Sequence, residues 1–122
     1  MKALSPEAVR KLIKKTEREK WEKTLIFQIK AAGIPEPKTQ YKFHPKRDFR
    51  ADIAWPHIRF MVEVDGGTWL EKSAHSGAGH ERDCIRDAEA FLLGWMVLRV
   101  TPGMIESGVA IGYIERLFYG RK

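Results

Sequence analysis

The sequence predicts an α/β (α+β) domain in the order helix, three-stranded meander, helix, strand, helix, with one mixed sheet flanked by helices. Three observations predict it. Two apolar runs, 49–55 and 59–65, are parted only by residues 56–58, with a turn at Pro56-His57 as in a hairpin. A third, Met96–Val100, follows a stretch of helical character. The chain has 122 residues, 43% of them hydrophobic and 31% charged without a long single-sign tract, which fits one domain over 1–122.

Ser5-Pro6-Glu7 reads as a helix opening, with Ser as N-cap and Pro in the first turn. The helix is expected to run to about Ala32, with Gly33 as its stop. Residues 1–20 form a basic helical extension, and Lys14 to Lys20 is either a solvated face or a break between two helices. Pro35 and Pro37 end helical character. Strands follow at Thr39 to His44, Phe49 to Trp55 and Arg59 to Asp65, and Gly66-Gly67 closes the third. Thr68 to Gly79 reads as a loop, Glu81 to Leu93 as a helix, Met96 to Val100 as a strand, and Pro102 to about Phe118 as a last helix.

The net charge is +6, which favours polyanionic partners, nucleic acid first among them. The single cysteine, Cys84, excludes an internal disulfide and reads as a small buried residue, and a reducing cytoplasm is the expected location. No run approaches the ~20 apolar residues of a membrane span, so no membrane partner is expected.

The chemistry concentrates in the meander. Asp52 opens one strand, and Glu63 and Asp65 stand two apart in the next. Alternate strand residues share a face, so these carboxylates are expected to converge, and a divalent cation relieves their repulsion. Lys42, Lys46, Arg47 and Arg50 cluster around the first hairpin, with Arg59 near, as candidate phosphate contacts. Lys11, Lys14, Lys15 and Arg18 form a second basic group that a solvated helix face explains nearly as well.

The ordered set Arg47-Asp48-Phe49-Arg50-Ala51-Asp52-Ile53-Ala54-Trp55-Pro56, Val62-Glu63-Val64-Asp65-Gly66-Gly67, His75-Ser76-Gly77-Ala78-Gly79, Asp83-Cys84-Ile85-Arg86 and Gly94 to Thr101 resembles the PD-(D/E)XK nuclease superfamily. The nearer likeness is to small phage and bacterial endonuclease-like proteins related to very-short-patch-repair nucleases. The resemblance implies a restriction-endonuclease-like core and Mg²⁺- or Mn²⁺-dependent hydrolysis of DNA phosphodiester bonds. Asp52, Glu63 and the carbonyl of Val64 are then metal ligands, and Glu22 matches the family's helical acid, with Glu19 its rival. The superfamily's usual lysine is replaced by Asp65, and the lysine one helix later by Arg86. A guanidinium stabilises phosphate but is too basic to activate water, so Asp65, His75 or the cation alone serves the proton transfer. Arg86 either faces the site or pairs with Asp83.

The implied substrate is structured DNA in phage or bacterial recombination or repair, such as a four-way junction, a mismatch or a nick. A homodimer would match the two-fold symmetry of a junction, and the last helix supplies either its surface or more of the core. The rival reading is a catalytically silent nucleic-acid-binding module on a nuclease fold.

Overall fold

The computed structural model describes residues 3–65 and 78–120. Helix α1 spans Pro6–Ala31 without interruption, so the charged stretch from Lys14 to Lys20 is a solvated face and not a break. Ser5 caps it as expected: its hydroxyl accepts from the Ala8 amide at 3.1 Å. Gly33, at φ +73°, turns the chain away.

The strands are β1 (Lys38–Lys42), β2 (Arg50–Trp55), β3 (Phe60–Val64) and β4 (Met96–Val100), and they lie side by side in that order. β1 with β2 and β2 with β3 are antiparallel, whereas β3 and β4 are parallel. A parallel pair needs a crossover, and α2 (Ala78–Leu92) lies between β3 and β4 in the chain. A 3₁₀ turn at Pro56–Ile58 joins β2 to β3, closed by Arg59 at φ +51°.

Helices cover both faces of the sheet. Leu25 and Ile29 of α1 pack with Ile105 of α3 (Pro102–Ser107) and Ala110 and Ile114 of α4 (Val109–Tyr119) against Ile53, Trp55, Phe60, Val62, Val64 and Val100. On the other face, Ala90 of α2 meets Ala54 and Met61, flanked by Tyr41, Phe43 and Trp95. Being covered on both sides makes β3 buried along its whole length. That is why Phe60 to Val62 reads as a continuous apolar run.

Three expectations change. The last helix is two, because Gly108 at φ +87° leaves the α region between α3 and α4. Helix α2 begins at Ala78 and not Glu81. Cys84 is exposed, not buried, because it lies on the solvent side of α2. Trp95 packs between Tyr41 and Phe43 at ring-centroid distances of 5.9 and 6.0 Å.

Candidate active site

The first three strands each contribute one polar side chain to a single point near the end of the sheet. The β2–β3 register runs from Trp55↔Phe60 to Ile53↔Val62, and one step further would set Asp52 against Glu63. There the amides bond to carboxylates: Asp52 N–H donates to Glu63 Oε2 at 3.0 Å, and Val64 N–H donates to Asp52 Oδ2 at 2.9 Å. The two acids therefore clasp the parting strands reciprocally. Hydrogen bonds to charged groups are each worth about 1.5–3 kcal/mol.

On the β1 side, Gln40 stands between the registered pairs Thr39↔Ile53 and Tyr41↔Ala51, and so opposite Asp52. Its φ is +49°, a left-handed conformation costing roughly 1–2 kcal/mol in a residue with a Cβ. Its Nε2 lies 3.4 Å from Asp52 Oδ1 and donates at 3.3 Å to Glu22 Oε1. Glu22 shares the inner stripe of α1 with Leu25 and Ile29, three and seven positions on, and is 9% exposed. The order across the site is Glu22, Gln40, Asp52, Glu63.

Arg86 of α2 closes the other side, with Nη2 at 2.8 Å from Glu63 Oε1. It faces Glu63 and not Asp83. Beyond it Arg99, paired with Glu63 in the β3–β4 register, grips Asp87 through both carboxylate oxygens at 2.9 and 3.0 Å.

Burial governs the electrostatics. Glu63 is 3% exposed, and its pKa is pushed up to about 7, first by loss of hydration and then by the Asp52 charge, with Arg86 pulling the other way. Glu22 is pushed up to about 7 in the same way, by burial and then by Asp52, against Arg18 and the Gln40 bond. Among the described residues Glu22 Oε2 is buried with no hydrogen-bond partner, and Arg18 Nε stands 3.6 Å away, at ion-pair range only. The site is thus short of positive charge.

The other expected residues distribute as follows. Asp65 lies one residue past β3, half-buried, its amide donating to the Val100 carbonyl at 2.8 Å, and among the described residues it forms no metal-holding group with Asp52 and Glu63. Val64 is buried, with its amide held by Asp52. His75 lies outside the described residues, as do Gly66-Gly67 and Trp69. Lys42 and Arg50 both reach Asp48, at 3.5 and 3.2 Å, which holds that carboxyl below its usual range. Arg47 lies over the Phe49 ring, and the amides of Lys46 and Arg47 donate to His44 Nδ1 at 3.1 and 3.0 Å. His44 Nε2 is thereby the protonated nitrogen, and it meets Glu89 at 2.8 Å, so His44 shapes the turn. Arg59 lies at the opposite end of the hairpin from Asp52 and Glu63, donating to the Leu93 carbonyl at 2.6 Å near the end of α2. That places it away from the basic group of the first hairpin.

Sequence reasoning missed Gln40. A glutamine within a polar strand carries no signal of its own, and its positive φ is visible only in the fold.

Among the described residues, no three His, Cys, Asp or Glu side chains group closely enough to hold a metal ion. The donor chemistry nevertheless suits a hard divalent cation. All the candidate donors are oxygens, two carboxyls are driven towards protonation by burial and a neighbouring charge, and one buried oxygen lacks a partner among the described residues. Mg²⁺ commonly takes one or two carboxylates and completes its shell with water and phosphate; the carboxylates on offer here are Asp52 and Glu63, whose oxygens face Gln40, the Val64 amide, the Asp52 amide and Arg86. Compared with known proteins, the chain matches no family model, no curated protein and no solved structure.

Proposed function

We propose that this protein is a metal-dependent DNA endonuclease with a restriction-endonuclease-like core, acting on structured DNA. The observation that carries the reading is the reciprocal clasp of Asp52 and Glu63 at the parting of β2 and β3, flanked by Glu22 and Arg86. A buried acid whose pKa is raised by desolvation together with a specific charge partner is a functional-site candidate. The mixed four-stranded sheet flanked by helices is compatible with the core that the resemblance implies.

Asp52, Glu63 and the Val64 carbonyl would hold Mg²⁺ or Mn²⁺, which when bound polarises the scissile phosphate and lowers the pKa of water for in-line attack. The chain's own groups do the rest. Gln40 fixes Asp52 Oδ1 while the Val64 amide fixes Oδ2, so the carboxylate cannot rotate. Arg86 supplies a permanent cation beside Glu63, able to stabilise charge on a pentavalent phosphate. Glu22, its pKa pushed up to about 7 by burial and the Asp52 charge, is linked to Asp52 through Gln40.

A second reading has one specific observation in its favour. Arg86 already neutralises Glu63 at 2.8 Å, as a silent DNA-binding module would require.

The test incubates the protein with a labelled four-way junction, a matched duplex and single strands, each in Mg²⁺, Mn²⁺ or EDTA. Glu63→Gln, which keeps an acceptor for the Asp52 amide, serves as the folded control. Metal-dependent cutting lost in that variant is the expected result. Tight binding without cutting in any metal would hand the function to the silent-module reading.

A further inference from the structure

The N-terminal half of α1 continues the helix beyond the body, and its residues before Trp21 are exposed apart from Ala8, which is half-buried. At 3.6 residues per turn, positions 11, 14, 15, 18, 22, 25 and 29 form one stripe. At its C-terminal end the stripe is Leu25 and Ile29, packed on the sheet. It then becomes Glu22 in the candidate site, and finally Arg18, Lys15, Lys14 and Lys11. The outer stripe inverts in the other direction, carrying Val9, Leu12, Ile13 and Phe27 in solvent. Lys20, Lys23 and Lys30 lie on the outer side, whereas Lys11, Lys14, Lys15 and Arg18 share the face that the body covers further along.

These four basic side chains line one concavity of about 240 Å³. Its last member, Arg18, reaches Glu22 at 3.6 Å, so the basic face runs without interruption into the site. Before Glu22 the acid on this stripe is Glu7, in the first turn, where it complements the helix N-terminus.

From this continuity we infer that the overhanging half of α1 is a DNA track: Lys11, Lys14, Lys15 and Arg18 hold successive backbone phosphates of duplex DNA and lead the strand to Glu22, Asp52 and Glu63. The track rests on the nuclease reading for its destination. From Lys11 to Glu22 the helix rises about 16 Å, enough for two to three nucleotides at about 6–7 Å each along one strand. The side chains meet phosphate, so they orient the strand without reading its sequence.

The test compares two triple variants of the full chain that carry the same charge change. Lys11→Gln/Lys14→Gln/Lys15→Gln removes the track, whereas Lys20→Gln/Lys23→Gln/Lys30→Gln removes lysines from the outer side of the same helix. Binding to a labelled duplex is measured in EDTA from 50 to 300 mM salt, with thermal unfolding as the check on folding. The track variant should bind roughly ten- to a hundredfold more weakly at low salt. Its log–log salt slope should be flatter by about 2–3, since each phosphate the protein ceases to neutralise lowers the slope by about 0.9. The outer variant should keep the native slope. Equal weakening in both variants would overturn the track, since net charge alone would then explain the binding. Native binding and slope in the track variant would also overturn it and leave the nuclease reading standing. Failure of the unmodified protein to bind any DNA would remove the nuclease reading together with the track.

Discussion

Replacing Glu22 with glutamine should make the protein more stable at alkaline pH. The folded carboxyl titrates near 7 and an ordinary glutamate near 4.5, because Glu22 is buried and close to Asp52. Between those values the folded state holds a proton that the unfolded chain has released, so stability falls as pH rises. The contribution is complete below about pH 4.5 and lost once pH passes about 7. At 1.36 kcal/mol per pH unit the full loss is about 3 kcal/mol, or roughly 10 °C in Tm for a domain of this size. Glu22→Gln keeps an acceptor for Gln40 and cannot ionise. Its unfolding free energy should match the unmodified protein at pH 4.5 and exceed it by about 3 kcal/mol at pH 8. Glu63 titrates in both proteins and so largely cancels from the difference. Urea unfolding in EDTA at pH 4.5, 6, 7 and 8 measures it directly. Parallel stability curves for the two proteins would refute the reasoning, because Glu22 would then be ordinarily hydrated in the folded state.

Other substitutions separate scaffold from chemistry. Gln40→Gly and Gln40→Ala both remove the amide between Glu22 and Asp52 and should slow cleavage roughly 10–100-fold. The glycine variant should be about 1 kcal/mol more stable than the alanine one in urea unfolding, because φ +49° suits glycine. Arg86→Leu leaves a 3%-exposed carboxylate without its partner and should cost about 3–5 kcal/mol at pH 8, less at pH 5, as chemical denaturation will show. Trp55→Phe loses the 2.7 Å bond from the indole nitrogen to the Pro35 carbonyl and should cost about 1 kcal/mol, whereas Trp55→Ala should cost about 3–5, read as shifts in Tm. A maleimide should label Cys84 stoichiometrically in the native protein without unfolding it, since the thiol side of α2 is open.

Much of the scaffold is legible in the sequence because its signals are local. Pro56-His57 and the apolar runs on either side locate β2 and β3 to within a residue, and Met96–Val100 is the strand expected. Ser5-Pro6 marks the start of α1. The division of the last helix is hidden, because glycine within an apolar helical pattern does not announce whether it will adopt positive φ, as Gly108 does and Gly112 does not. Asp52, Glu63, Arg86 and Glu22 stand out through spacing and resemblance, and they meet through side-chain contacts. Strand alternation leads one to expect Asp65 beside Asp52 and Glu63, yet the described residues hold no group of three such carboxyls close enough for a metal. Gln40 and the helix-capping use of Arg59 depend on which elements come together, information that no short window contains.

The clasp between Asp52 and Glu63 also constrains how this sequence can evolve. The same two carboxylates that define the site fasten β2 to β3 where their ladder stops. A descendant relieved of selection for chemistry could not discard them freely, because alanine at either position would leave strand amides unbonded. Asparagine and glutamine would preserve the fastening and silence the charge. Were the proposed activity lost in this lineage, amides should stand where the acids were, a trace readable in relatives long afterwards.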